Sequence, residues 1–382
     1  MLTRIVNGII ITPHETLPGQ TLTIRDTKID SISPTNTTIT EQTQDVDASN
    51  CYIIPGFIDV HVHGAAGHDT MHATPDAIYG MAEYFARHGV TSFYPTTMTM
   101  PAAAVQSALD NLSDLPQPTN GAQILGAHVE GPYLNLNYKG AQPPDYFRLP
   151  DPAEYQRWLE TGMLKLMTVA PEIDGALEMI SALRPHQVEF ALGHSGATYD
   201  QSIRAFDSGV HQVTHTFNGM IGLHHREPGA LGAVLTDDRV YAQLIADGIH
   251  VHPGAIRVLL RAKGHERVML ITDSMEATGL SDGTYDLGGQ TVTVQQGIAR
   301  IANGSLAGST LTMDQAVRNI VSWTDLPLNR VIQMATAVPA AAMHLAESKG
   351  HLRPGYDADI VLLNRDLQVV KTFVAGKLVY ST

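Results

Sequence analysis

Pro55-Gly56-Phe57-Ile58-Asp59-Val60-His61-Val62-His63-Gly64 is the stretch that decides the fold. An apolar run of this length, opened by Pro-Gly and closed by Gly, predicts a buried strand over 57–63. Alternate residues of a strand face the same side, so His61 and His63 project together near its C-terminal end. Two imidazoles placed this way can converge on one metal ion. The glycine after them lets the backbone turn away sharply. Two polar residues closing a strand are the plainer alternative, and the remaining units of the chain have to decide between the two.

Downstream, the strand-then-helix pattern repeats. Strands are expected at 91–97, 123–130, 164–171, 187–194, 212–217, 240–247 and 267–273, most of them followed by a helical pattern such as 76–87, 200–207 or 253–263. About eight such units in succession predict an α/β fold, a closed (β/α)8 barrel of TIM type. The ends read differently. Short runs at 4–11, 21–32 and 46–54, and again at 359–363, 369–374 and 377–380, alternate Thr, Val or Ile with polar residues between turn signals. They predict a small β-sandwich built from both termini, 1–54 with 350–382, around a barrel over 55–349.

Within the barrel units the polar residues fall at one place. His61 and His63 close the first strand, Glu130 the third, His194 the fifth and Asp273 the eighth, while His215 lies near the end of the sixth. A closed barrel gathers those ends around one mouth, where active sites form. An imidazole or carboxylate buried there is costly unless it is paired or bound to a metal. Glu130, His194 and His215 make the three-ligand N/O set of a catalytic zinc with an open position, and such an ion acidifies water. His61 and His63 are candidates for a second ion, with Glu130 bridging. A divalent metal is therefore expected, one or two ions per subunit. Zinc fits first, and iron or manganese also suit these donors.

Asp273 is the candidate general base, the alternative being one more metal ligand. His250, after the seventh strand, is placed to stabilise an oxyanion or to bond a loop. Asn218-Gly219 and Arg226 follow the sixth strand, and an Arg beside turn-forming residues suits a phosphate, although a surface ion pair is the plainer reading.

Composition bounds the rest. The chain has 382 residues, 43% hydrophobic and 16% charged, as in compact globular proteins. A net charge of -14 argues against a nucleic-acid partner. No apolar run approaches the ~20 residues that span a bilayer, and the N-terminus lacks a signal-peptide pattern. With a single cysteine, Cys51, in an apolar context, no internal disulfide is possible. Cytoplasm is the expected location.

Taken together, these motifs resemble the amidohydrolase superfamily and, within it, the N-acetylglucosamine-6-phosphate deacetylases. The resemblance rests on Pro-Gly-Phe-Ile-Asp-Val-His-Val-His (55–63), His-Val-Glu-Gly-Pro-Tyr (128–133), Gly-His-Ser-Gly-Ala-Thr (193–198), Thr-His-Thr-Phe-Asn-Gly-Met (214–220), His-His-Arg-Glu-Pro-Gly (224–229), Ala-Asp-Gly-Ile-His (246–250), Thr-Asp-Ser-Met (272–275) and Leu-Ala-Gly-Ser-Thr-Leu-Thr-Met (306–313). It implies that Glu130, His194 and His215 bind the catalytic metal and that Asp273 is the acid/base. It also implies that His250 contacts the acetamide or sugar, and that Asn218, Gly219 and Arg226 bind sugar and phosphate. Backbone around Leu306 and Ala307 would line the sugar. His225 and Arg226 match a segment that reaches a neighbouring subunit's site, which implies a homodimer. The implied partner is a phosphorylated N-acetyl amino sugar, with the gluco and galacto epimers both open. Many members of the wider superfamily bridge two metals with a modified lysine at the end of the fourth strand. Here that strand ends Thr168-Val169-Ala170-Pro171 and Lys165 lies too early, so Glu130 is the better bridge. A barrel that has lost catalysis would be expected to lack one of these groups, and all are present.

Overall fold

The computed structural model describes residues 2–13, 15–35, 37 and 41–382. Eight parallel strands form the barrel: β1 (Phe57–Val62), β2 (Val90–Thr97), β3 (Ala127–Glu130), β4 (Leu164–Val169), β5 (Glu189–Leu192), β6 (Val210–Val213), β7 (Tyr241–Ile245) and β8 (Val268–Ile271). Each pairs with the next in chain order. The seam between β8 and β1 closes at the rim. There the Asp273 N–H donates to the His61 carbonyl (2.9 Å) and the His63 N–H to the Ser274 carbonyl (2.9 Å). One to two residues deeper, the Thr272 hydroxyl donates to buried Asp59 (2.5 Å).

The barrel helices are α1 (Pro75–Arg87), α2 (Ala102–Asp114), α3 (Pro152–Glu160), α4 (Ala176–Leu183), α5 (Tyr199–Ser208), α6 (Gly229–Thr236), α7 (Pro253–Lys263) and α8 (Met313–Trp323), followed by the short α9 (Leu328–Met334) and α10 (Ala337–Ala342). Helix α1 shows why they form. Thr74 caps it by accepting the Ala77 N–H and Pro75 pre-sets its first turn. Ala77, Ile78, Met81, Ala82 and Phe85 then recur at helical spacing and bury one face. The main core lies between this shell and the strands and continues inside the barrel.

Both chain ends build the sandwich. One sheet joins 377–381, 369–374, 360–363, 52–55, 9–11 and 16–18, and the other joins 28–34, 20–25, 2–6 and 43–47. Between them Ile5, Leu22, Ile24, Ile53, Ile360, Leu362 and Phe373 are buried. The runs expected as single strands at 4–11 and 21–32 are each two strands. Asn7 (φ 67°) and Asp26 (φ 54°) turn the backbone through the left-handed region that short polar side chains tolerate. At the expected 349/350 boundary, buried Lys349 donates to Asp359 (2.6 Å) and Gln123 (2.7 Å), tying sandwich to barrel.

The largest element that was not expected follows the last barrel strand. Between β8 and α8 the chain forms a three-stranded antiparallel sheet, Gly283–Leu287, Gln290–Gln295 and Ile298–Ile301. Its inner residues Leu287, Val292, Val294 and Ala299 pack with Met98 and Met275. Thr291-Val292-Thr293-Val294 alternates at the strand period after Gly288-Gly289, a hairpin signal that a pure βα reading passes over. Among the described residues, no helix is long and apolar enough to cross a membrane.

Candidate active site and metal centre

His194 and Asp273, expected to end β5 and β8, and His215, expected near the end of β6, lie just beyond those strands. The strands stop at Leu192, Val213 and Ile271, and His194, His215 and Asp273 adopt φ of 47°, 28° and 49°. A left-handed residue with a full side chain costs about 1–2 kcal/mol. Here the turn it makes brings three polar side chains back over the barrel axis, where a continued strand would carry them onward.

They meet Glu130 in two groups. The Glu130 Oε1 atom lies 3.2 Å from His194 Nε2 and 3.2 Å from His215 Nε2, and those nitrogens are 3.1 Å apart. The Glu130 Oε2 atom faces the other way, 3.2 Å from His63 Nε2 and 3.6 Å from His61 Nε2. Asp273 Oδ1 completes that side at 3.3 Å from each of the two nitrogens, which are themselves 3.3 Å apart. All six residues are buried. Metal bonds of about 2.0–2.1 Å in a tetrahedron put neighbouring donors about 3.3 Å apart. Both groups match that edge length, so the residues fit a divalent metal. The first group leaves one position open; the second has four donors if Glu130 is shared.

Every histidine turns Nε2 inward because its Nδ1 is occupied. His194 Nδ1 bonds the Tyr138 carbonyl (2.8 Å), His215 Nδ1 the Asn218 carbonyl (3.1 Å) and His63 Nδ1 the Thr96 carbonyl (3.2 Å). His61 Nδ1 faces the Oε1 atom of Gln243 (3.3 Å). Such outer partners set the tautomer and the ring orientation of a ligating histidine. Gln142 plays the matching part for the carboxylate. Its Nε2 donates to Glu130 Oε2 (2.7 Å) while its Oε1 accepts the Thr99 N–H (2.8 Å).

Electrostatics keep the acids ionised. Burial alone would raise the Glu130 pKa, but facing His61 and hydrogen bonds from His194 and His215 hold it well below the usual carboxylate range. Asp273 is likewise opposed by burial and drawn down to about 2 by His61 and His63. Burial pushes His128 well below the usual histidine range. Its neutral ring packs edge-on against His61, with centroids 4.6 Å apart, and adds no charge to the cluster.

Above the clusters lies a cavity of about 300 Å³. Of the expected substrate contacts, Asn218, His250 and Leu306 are on its wall, beside Gly140, Ala141 and Gln142 and, from the inserted sheet and its exit, Leu287 and Ser305. Gly219 sits behind His194; a Cβ there would stand 3.0 Å from His194 Nδ1. Ala307 is fully buried, its N–H bonded to the Ala299 carbonyl (3.1 Å). His225 and Arg226 are exposed, bonded to one another (2.8 Å), and lie off the cavity wall. Sequence reasoning missed Gln142, Gln243 and Asp247. Asp247 accepts the Ile249 and His250 N–H groups (2.8 Å each) and grips His250 Nδ1 (2.6 Å), leaving Nε2 to meet a ligand. The signal available for Gln243 was an amide inside an apolar strand.

A sequence profile for the amidohydrolase family matches residues 52–379. The chain belongs to the amidohydrolase family. Among relatives of this amidohydrolase, an N-acetylgalactosamine-6-phosphate deacetylase of Escherichia coli O157:H7 is 41% identical over 97% of both chains. An N-acetylglucosamine-6-phosphate deacetylase of Vibrio furnissii is 42% identical over 86% of this chain and 83% of its own. The crystal structure of N-acetylglucosamine-6-phosphate deacetylase from Pasteurella multocida superposes on the amidohydrolase with a TM-score of 0.94, at 29% identity and complete coverage of both chains. A mutant of the Mycobacterium smegmatis enzyme, in complex with N-acetyl-D-glucosamine-6-phosphate, gives 0.91 at 34% identity, covering 100% of this chain and 99% of that one.

Proposed function

We propose that this amidohydrolase hydrolyses N-acetylglucosamine 6-phosphate to glucosamine 6-phosphate and acetate, in amino-sugar metabolism. One observation carries the reading. A single buried carboxylate, Glu130, presents one oxygen to an open three-donor set and the other to His61, His63 and Asp273, at the floor of a cavity sized for one sugar. The names of the relatives supply the substrate. Zinc is the proposed metal, with iron and manganese as alternatives, and two ions per subunit are proposed because each set has its own donors. A divalent ion held there supplies Lewis acidity and an acidified water.

The chain's own groups do the rest. Asp273, ionised at neutral pH, takes a proton from the attacking water as the carbon–oxygen bond forms. It returns that proton to the sugar nitrogen as the carbon–nitrogen bond breaks, so the amine leaves neutral rather than as an anion. His250, aligned by Asp247, and Asn218 hold the acetamide and sugar, with Leu306 packed against the ring. The 6-phosphate needs a cation, and no Lys or Arg lines the cavity among the described residues. Arg226, exposed on the loop before α6, supports a homodimer in which this arginine and His225 complete the neighbouring site. A cytoplasmic location and the division of the chain at 54/55 and 349/350 belong to the same proposal.

The experiment is acetate release from N-acetylglucosamine 6-phosphate, its galacto epimer and the unphosphorylated sugar, with metal quantified on the same protein. Low activity on the phosphorylated sugars with full metal content would sink the reading. The galacto epimer is the second reading, favoured by the Escherichia coli relative that matches nearly end to end. Arg226→Ala is expected to raise KM for the phosphorylated sugar about 10–100-fold, the worth of a charge-assisted hydrogen bond. The unphosphorylated sugar should be unaffected.

A further inference from the structure

Three of the four metal-facing histidines are pinned by backbone carbonyls, which no substitution removes. His61 is the exception: its Nδ1 is met by a side chain, Gln243 Oε1 at 3.3 Å. Gln243 is itself held. Its Nε2 donates to Gln212 Oε1 (3.2 Å), and Gln212 Nε2 donates to the carbonyl of Ala342 (3.2 Å), the last residue of α10. His61, Gln212 and Gln243 are each 0% exposed, so water does not compete for these bonds.

The relay has a direction. A backbone carbonyl only accepts, so the Gln212 amide must turn its NH2 toward Ala342 and its oxygen toward Gln243. Gln243 must then turn its own NH2 toward Gln212 and its oxygen toward His61. An oxygen facing Nδ1 requires Nδ1 to carry the ring proton, which leaves the Nε2 lone pair aimed at His63, Glu130 and Asp273. We propose that Gln243 and Gln212 are positioning residues that set the tautomer of His61 from the end of α10, and thereby the affinity of the second metal site. The proposal rests on the two-ion reading above. It predicts that the relay acts on one site only, because His194 and His215 take their orientation from Tyr138 and Asn218.

The test strips the full-length protein of metal with a chelator and titrates zinc back into wild type, Gln243→Leu and Gln243→Glu. Wild type is expected to bind two ions. Gln243→Leu should bind the first ion with unchanged affinity and the second about 10–100-fold more weakly. Gln243→Glu, which keeps an oxygen on Nδ1, should retain second-ion affinity within a few-fold. Equal second-ion affinity in wild type and Gln243→Leu, or equal loss in both variants, would overturn the proposal. The histidine ring 15N shifts of the metal-free protein give an independent readout. At a pH where the ring is neutral, His61 should be wholly the Nδ1–H form in wild type and a mixture in Gln243→Leu. If wild type binds a single ion, the two-ion reading fails, and these shifts alone decide the relay: an unchanged His61 tautomer rejects it. Should Gln243→Leu not fold, Gln212→Leu replaces it, leaving Gln243 in place but free to rotate. An unaltered His61 tautomer there would likewise reject the relay.

Discussion

The Glu130–His194–His215 cluster and the His61–His63–Asp273 cluster share one carboxylate, yet the chain builds them by different means. His61 and His63 lie along β1 and near its end, side by side because a strand alternates. Their pairing needs no unusual backbone. His194 and His215 come from separate units, each on a left-handed residue past its strand, and meet only because the barrel closes. Regular structure delivers a pair of side-by-side imidazoles from one short segment. Convergence of distant units delivers an open site, at the cost of backbone strain held in place by the surrounding loops. Asp273 shows both features, since it is strained like the first group and belongs by position to the second.

That contrast can be broken or sharpened experimentally. Glu130→Gln removes the charge common to both groups. It should abolish binding of either ion and lower acetate release by well over the ~100-fold typical of an outer-shell change. Retention of one tightly bound ion would show that the groups are independent of Glu130. Asp273→Asn should reduce kcat about 10²–10⁴-fold, the usual worth of a general acid–base. Metal at the His194–His215 side should stay bound. A drop below tenfold would remove Asp273 from proton transfer.

Replacing His61 and His63 together by Ala should cost one ion of two and leave measurable turnover, about 10–100-fold reduced. Loss of all metal would mean that the open group cannot stand without its neighbour. The smallest effect is expected at Gly219, where φ is +58° and a Cβ would press on His194 Nδ1 at 3.0 Å. Gly219→Ala should destabilise the protein by about 1–2 kcal/mol in denaturant unfolding, as a left-handed residue that gains a side chain. An unchanged midpoint would indicate that the strained side of the site relaxes freely.

Much of this architecture is legible in the linear chain, for reasons that vary by element. The strand at 57–62 stands out as a short run buried on both faces, and helix α7 at 253–263 as a segment that buries Ile256, Leu259 and the Lys263 stem at helical spacing. The ends of β5, β6 and β8 do not. Apolar pattern continues to His194, Phe217 and Asp273, and nothing local reveals that the backbone leaves the strand two residues after Leu192, Val213 or Ile271. The inserted sheet over 283–301 carried its own alternation, but the βα rhythm on either side obscured it. Arg226 illustrates a different limit: residue type suggests a phosphate, while its position off the cavity wall emerges only in three dimensions.

What the polymer order determines alone is periodicity and residue type: which segments alternate, which repeat every three or four residues, and that imidazoles and acids gather at the ends of strand-like runs. These are local properties, written in neighbouring side chains. What the tertiary structure decides is which groups face one another: that Glu130 splits its two oxygens between two sets, that Gln142 orients it, and that Gln243 rather than a carbonyl meets His61. Those pairings join residues up to 182 positions apart. They arise from the closure and stagger of a barrel, which no short stretch of chain encodes.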